Sequence, residues 1–282
     1  MSGALILVAT PIGNLGDVST RTRDALSNAD LIACEDSRHS GRLVKQLGIA
    51  DPHYVVVNEH TEREACTRIV DAIREGKTVA LITDAGTPAI SDPGAVVARA
   101  VIEAGLDVSA VPGPAALVMA LVLSGLSTTR FVFEGFIPRS GVDRAERLAA
   151  IAAEERTIVI YESPHRITRT IDDLAEICGG GRRVAVAREL TKMHEEVWRG
   201  TLAGAATHFG AKEPQGEFVV VIEGAAPPPP ANDEQIASAI DAALAAGLTV
   251  RDAADRVASN LGVPRRAAYA AALARRAAME KS

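Results

Sequence analysis

The sequence predicts an α/β protein with two α/β domains and a small helical appendage, on three observations. Short β-branched runs alternate with longer helical patterns through the first half, a second set of such runs follows residue 124, and a proline run near residue 227 gives way to purely helical spacing. The boundaries this predicts are 1–117 and 118–224 for the two α/β domains, 225–231 for a linker and 232–282 for the appendage.

In order, residues 5–9, 31–34, 54–57, 79–83 and 108–111 read as strands of a mainly parallel sheet. Between them, residues 20–28, 40–47, 62–75 and 95–104 carry helical apolar spacing, with stops at Gly48, Gly76 and Gly105, and read as crossover helices. After a further apolar helix at 115–123, residues 131–134, 157–161, 184–187, 197–200 and 218–223 read as the strands of a second α/β domain with shorter helices between them. Four consecutive prolines within 225–231 cannot continue a helix or a central strand, which makes that run an extended linker. Beyond it, Ile236, Ile240 and Leu244 form one helical stripe and Val250, Ala254, Val257 and Leu261 another, with starts at Asn232, Thr249 and Pro264, predicting three short helices of a helix-turn-helix kind.

Composition narrows the class. With 48% hydrophobic and 23% charged residues among 282, the chain has the means to bury a full core. The odd set Cys34, Cys66 and Cys178 has no Cys-x-x-Cys or Cys/His spacing, which disfavours a disulfide framework or a structural zinc and predicts a reducing, cytoplasmic setting. The opening residues lack the basic start of a signal peptide, and the first apolar run is too short to span a membrane. The net charge of -6 points toward a small substrate, so any RNA contact must come from local basic patches. One such patch is the tail, where Arg265, Arg266, Arg275, Arg276 and Lys281 face a single acid, Glu280; RNA contact and a solvated helix face remain equally open there.

Three turns at predicted strand ends carry the chemistry. The first strand runs into Ala9-Thr10-Pro11-Ile12-Gly13-Asn14, which lacks the glycine spacing of a dinucleotide fingerprint. The fourth opens into residues 84–94, small side chains punctuated by two prolines and two glycines, and the fifth into Pro112-Gly113-Pro114-Ala115-Ala116. Small residues beyond the carboxyl ends of neighbouring strands leave room for a bulky ligand, while neither loop has the Gly-Lys-Ser/Thr ending of a triphosphate site.

These turns, with Cys34-Glu35-Asp36-Ser37-Arg38, Glu134-Gly135-Phe136, Tyr161-Glu162-Ser163-Pro164-His165-Arg166, Arg188-Glu189-Leu190-Thr191-Lys192 and Gly216-Glu217-Phe218-Val219, closely resemble the tetrapyrrole-methylase superfamily, in its 16S rRNA (cytidine-2′-O)-methyltransferase branch, over about residues 5–224. The resemblance implies S-adenosylmethionine as methyl donor in the cleft between the two domains, held by Ile12, Asp84, Ala85, Gly86, Thr87, Ile90, Ala115, Ala116, Glu162 and Leu190. It implies 16S rRNA within the small ribosomal subunit as substrate, and a homodimer. Corrin-type and siroheme-type methylases carry Gly-x-Gly-Pro-Gly where this chain has Ala9-Thr10-Pro11-Ile12-Gly13, which argues against a tetrapyrrole substrate and weakens the contact assigned to Ile12. Two rivals stand beside this reading: a methylase of the same fold acting on a porphyrin-like ring, and a non-catalytic ribosome-associated protein.

Methyl transfer from a sulfonium is an in-line displacement that depends on alignment and exclusion of water and needs no metal. A ribose hydroxyl is a poor nucleophile that benefits from a proton acceptor. Glu35 or Asp36 are the candidates for that base, with Lys192 and His194 as alternatives that orient the ribose or neutralise a phosphate, unless they serve only as surface ion pairs. Arg38, Arg42 and His60 complete the substrate-facing candidates, with Arg21, Arg23 and Lys45 as further parts of a basic rim.

Overall fold

The computed structural model describes residues 3–58, 61–211, 213–226 and 231–279, and the chain divides into two compact units, Met1–Ala225 and Ala226–Ser282. His60 and Lys281, along with most of the proline run, lie outside the described residues.

The larger unit holds two five-stranded sheets. The first consists of β1 (Ala4–Val8), β2 (Leu31–Cys34), β3 (Tyr54–Val56), β4 (Thr78–Leu81) and β5 (Asp107–Val111), in the order β3-β2-β4-β1-β5. Every pairing is parallel, so all five carboxyl ends open on the same edge. That edge is where an open α/β sheet receives ligands. Helices α1 (Thr20–Ser27) and α2 (Ser37–Gln46) cover one face over Val8, Leu26, Ile32, Cys34 and Val44; α3 (Glu62–Arg74) and α4 (Ala95–Glu103) cover the other over Leu5, Ala33, Ile69, Val97 and Val101. Coverage of both faces explains why these strands read as continuous apolar runs rather than alternating ones. Helix α2 begins three residues earlier than its apolar spacing predicts, because the Asp36 side chain accepts a hydrogen bond from the Arg38 amide at 2.8 Å and caps an extra polar turn.

Helix α5 (Ala116–Ser124) crosses to the second sheet and packs on it through Leu117, Ala120 and Leu121. That sheet comprises β6 (Phe131–Phe136), β7 (Thr157–Glu162), β8 (Arg183–Arg188), β9 (Glu196–Thr201) and β10 (Phe218–Ile222), in the order β6-β7-β10-β8-β9. It is mixed: β6 and β7 run parallel, while β10 is antiparallel to β7 and β8. Its far face is covered by α6 (Gly141–Ala153), α7 (Ile167–Cys178) and α8 (Leu202–Gly210). At 13, 12 and 9 residues these helices are not shorter than those of the first sheet, contrary to the sequence expectation; Leu148 and Ile151, and Ile167, Ile171 and Leu174, keep a helical stripe buried along their length. A bulge between Phe133 and Gly135 uses a positive φ of 63° at Gly135, where a Cβ would stand 3.3 Å from the Ser91 hydroxyl. The missing side chain lets β6 approach the 84–94 loop of the first sheet.

The smaller unit is a three-helix cluster of α9 (Asp233–Ala245), α10 (Val250–Leu261) and α11 (Arg265–Met279). Ile236, Ile240, Leu244, Val257 and Val263 form its core. An Asn232/Gln235 capping box starts α9, and Gly262, at φ 62°, ends α10 in the left-handed region. Arg265 and Arg275, counted as basic tail residues, are ion-paired with Asp255 and Asp241 of the same cluster. Among the described residues no helix is long and apolar enough to cross a membrane.

Candidate functional site

Three turns leave the carboxyl edge of the first sheet and are stitched to one another. Thr10 and Gly86 exchange backbone hydrogen bonds of 2.9 and 3.2 Å, which joins the turn after β1 to the loop after β4. The Ala9 amide donates to Val111 O at 3.2 Å, and the Thr87 hydroxyl donates to Pro114 O at 3.1 Å, so the turn after β5 is tied to both. The wholly buried Thr10 hydroxyl donates to Thr83 O at 3.2 Å. Gly113 cannot be larger, since a Cβ there would stand 2.8 Å from that of Ala9. The 84–94 loop carries positive φ at two residues with side chains, Ala89 (69°) and Ser91 (61°), a strain held in place by the bond from Ala89 N to Pro93 O.

These turns form one wall of a cavity of about 450 Å³ whose other wall comes from the second sheet. The first turn contributes Ile12, the 84–94 loop contributes Asp84, Ala85, Gly86, Thr87 and Ile90, and the third turn contributes Ala115 and Ala116. Glu162 and Leu190 line it from the opposite side, so the cavity collects all ten residues to which the resemblance gives the donor. Glu162 is 2% exposed and fully engaged: its carboxylate accepts from Thr170 Oγ1 at 2.7 Å and Ser163 N at 2.8 Å, with Arg166 at 3.4 Å. It shapes the wall.

Sequence reasoning missed the aromatic part of this wall. Tyr161 accepts a hydrogen bond from Leu117 N at 3.1 Å, and Phe133 and Phe136 pack edge-on to its ring at 4.9 and 5.8 Å. The bulge in β6 turns Phe136, half exposed, into the cavity. Also missed was Asp92, although it lies inside the loop that its small residues mark as a site. Burial, then the neighbouring charges of Glu35, Asp84 and Glu217, push the Asp92 carboxyl up to about 6. Among the described residues it has no hydrogen bond or ion pair. Asp84 Oδ1 is likewise buried and without a partner, an acceptor aimed at whatever fills the space.

A second cavity of about 360 Å³ adjoins the first and shares Ile12, Asp84, Ala85 and Glu217 with it. His39, Arg42 and Lys192 supply its basic rim. Lys192 lies across Gly13, which has φ 144° and no room for a Cβ, and its ammonium donates to Glu189 at 2.8 Å and Glu217 at 2.9 Å. Burial alone would push this ammonium down; the two carboxylates outweigh it and raise its pKa, so Lys192 is a fixed cation rather than a proton acceptor. A larger cavity of about 520 Å³, lined by Arg130, Glu154 and Arg156, lies at the opposite strand ends of the second sheet and shares no residue with these two.

The remaining candidates fall elsewhere. Asp36 is spent on capping α2, and the Arg38 amide is the foremost cause that holds its carboxyl below the ordinary value. Arg38 points to solvent with 89% of its side chain exposed, and His194 is exposed and lines neither cavity. Glu35 lines neither cavity but is close enough for its charge to act on Asp92. No group of His, Cys, Asp and Glu among the described residues is arranged to hold a metal.

A family model for Tetrapyrrole (Corrin/Porphyrin) Methylases matches residues 4–206, which include every residue lining the cavity of about 450 Å³ except Glu217, Phe218 and Val219. This chain belongs to the tetrapyrrole methylase family. A second model, for an RsmI C-terminal HTH domain, matches residues 230–276, the three-helix unit. Over 269 residues the chain is 44% identical to a Synechocystis protein named ribosomal RNA small subunit methyltransferase I, covering 95% of this chain and 96% of that one. A Mycobacterium tuberculosis protein of the same name is 44% identical over 274 residues, covering 96% and 95%. The solved structure of the methyltransferase CobJ shares the fold at TM-score 0.60 and 20% identity, over 80% of this chain and 95% of that one. The first turn of this chain places Ile12 against Gly86, where a Cβ would come within 3.4 Å of the Ile12 Cγ2.

Proposed function

We propose that this protein transfers a methyl group from S-adenosylmethionine to the 2′-hydroxyl of a cytidine in 16S ribosomal RNA. The observation that carries the reading is the pair of joined cavities. One has small residues and an unpartnered buried acceptor at Asp84, suited to an adenosyl donor with amino and hydroxyl groups; the other opens beside it with a basic rim suited to a ribose and its phosphate. The relatives named ribosomal RNA small subunit methyltransferase I support the RNA substrate despite the net charge of -6.

In this reading Ile12, Asp84 to Thr87, Ile90, Ala115, Ala116, Glu162 and Leu190 enclose the donor, and Arg42 and Lys192 face the RNA backbone. Glu35 lines neither cavity and acts on the cleft through its charge on Asp92. His194 and Arg38 lie outside the two cavities, where they reach only RNA that flanks the target. Dimerisation belongs to the same reading: α5 leaves Val118, Met119, Val122 and Leu123 exposed on its outer side, an apolar strip that a second copy would cover. A cytoplasmic location follows from a ribosomal substrate.

The test is incubation with methyl-labelled donor and small ribosomal subunits lacking the modification, followed by mapping of the label. Label on a cytidine ribose is the expected result. Label on a base, or none on RNA, overturns it, and absence of calorimetric heat with the donor would instead favour a non-catalytic binding protein.

A further inference from the structure

Resting on that reading, we propose that Asp92 is the catalytic proton acceptor, taking the hydrogen of the ribose 2′-hydroxyl as that oxygen takes the methyl group. The new bond is oxygen to methyl carbon; the bond that breaks is methyl carbon to sulfur, whose electron pair returns to sulfur and turns the sulfonium into a thioether. The hydroxyl proton passes to the Asp92 carboxylate and from there to water.

Elimination among the carboxylates at the cleft leads to Asp92. Glu162 is saturated by Thr170, Ser163 and Arg166. Glu217 is held by Lys192, and Asp36 caps α2. Asp84 is half-buried like Asp92, but its Oδ1 is sealed from solvent without a partner, which suits it to one standing hydrogen bond with a bound group. Asp92 lines the donor cavity, is half-buried and so in touch with water, and has no protein partner among the described residues. It shares the donor cavity with Asp84 and Glu217, the two acids through which that cavity adjoins the second one.

Charge bookkeeping within the cleft favours the same atom. Among the described residues, the charges that act on Asp92 are those of Glu35 after β2, Asp84 after β4 and Glu217 before β10, with Tyr161 on β7 beside it, and none of them is a cation. Methyl transfer removes the positive charge of the sulfonium from this acidic surrounding. A proton gained by Asp92 offsets that loss in place, so the residue becomes more basic as the reaction proceeds, which is what a general base requires. The carboxyl, pushed up to about 6, is mostly ionised at neutral pH and ready to accept.

The test uses the full-length protein, its near-isosteric variant Asp92→Asn, and Asp92→Glu. Single-turnover methylation of small subunits is read from pH 5 to 8, and the affinities for donor and for RNA are measured separately by calorimetry and filter binding. Asp92→Asn should lose about 100-fold or more in rate while both affinities stay within about threefold, which also reports an intact fold; Asp92→Glu should recover part of the rate. The wild-type rate should fall about tenfold per pH unit below a point at or under pH 6, since the donor's charge lowers the carboxyl on binding, and the residual rate of Asp92→Asn should not. A rate within about fivefold of wild type, an acid limb that persists in the asparagine variant, or donor affinity lost as steeply as rate overturns the assignment; the last would make Asp92 the partner of the donor's ammonium. If wild type itself leaves RNA unlabelled, the failure lies with the RNA reading and needs no variant to be seen.

Discussion

Replacing Asp92 with asparagine should stabilise the donor-free protein at neutral pH. Most carboxyl groups in folded proteins are held below their ordinary value and strengthen the fold when ionised; Asp92 goes the other way, from 3.8 to about 6, because burial and the charges of Glu35, Asp84 and Glu217 oppose ionisation. The folded state therefore binds a proton more tightly than the unfolded chain, and its stability falls as pH rises between these values. Fully expressed, that gap would cost about 3 kcal/mol above pH 6. Asp92 is only half-buried, and screening by solvent reduces the cost to about 1 kcal/mol. Asparagine keeps the shape and removes the charge. Urea unfolding followed by the single tryptophan, Trp198, reports on the unit that carries the cleft. The variant should exceed wild type by about 1 kcal/mol at pH 7.5 and by nothing below about pH 4, where both side chains are neutral. Equal stability at pH 7.5, or a gain that does not shrink on acidification, would refute the account of Asp92 as an uncompensated carboxylate. A stabilising change that removes activity is the expected mark of a group kept for function.

Charge reversal separates two arginines that look alike in sequence. Arg42→Glu, on the rim of the second cavity, should weaken RNA binding about tenfold or more at low salt and leave donor affinity unchanged, whereas Arg38→Glu, solvent-exposed and off both cavities, should do much less; equal effects in filter binding would remove the second cavity from the RNA path. Gly13→Ala should displace Lys192 from Glu189 and Glu217 and force a side chain into φ 144°, costing about 1–3 kcal/mol in unfolding experiments. An unchanged melting temperature would mean that the Lys192 stem yields without loss.

Much of the fold was legible in the sequence because local patterns and fold agree there. Runs such as Leu31–Cys34 are buried on both faces and read as continuous apolar strands, and Gly48, Gly76 and Gly105 mark helix ends through their freedom at positive φ. The helix starting at Ser37 begins one turn before its apolar spacing does, since its first residues are polar and its cap, Asp36, is a carboxylate that sequence alone equally offers to chemistry.

The small-residue turns at Ile12, at 84–94 and at 112–116 were determined by sequence alone, because room for a ligand and strained backbone demand glycine, proline and alanine at fixed places. Tertiary structure decided the rest. Only the crossing hydrogen bonds between Thr10 and Gly86 and between Thr87 and Pro114 join those turns into one wall, and only the packing of the second sheet, with its bulge at Gly135, sets Tyr161 and Phe136 opposite it. The same holds for the acids: spacing along the chain made Glu35 and Asp36 the visible pair, while the environment of Asp92 came from elements far apart in sequence. Capping by a local bond engaged Asp36, and burial with the charges of Glu35, Asp84 and Glu217 made Asp92 the basic carboxylate, since basicity depends on the surroundings of an atom and these are assembled only when the turns after β2 and β4 and the start of β10 come together.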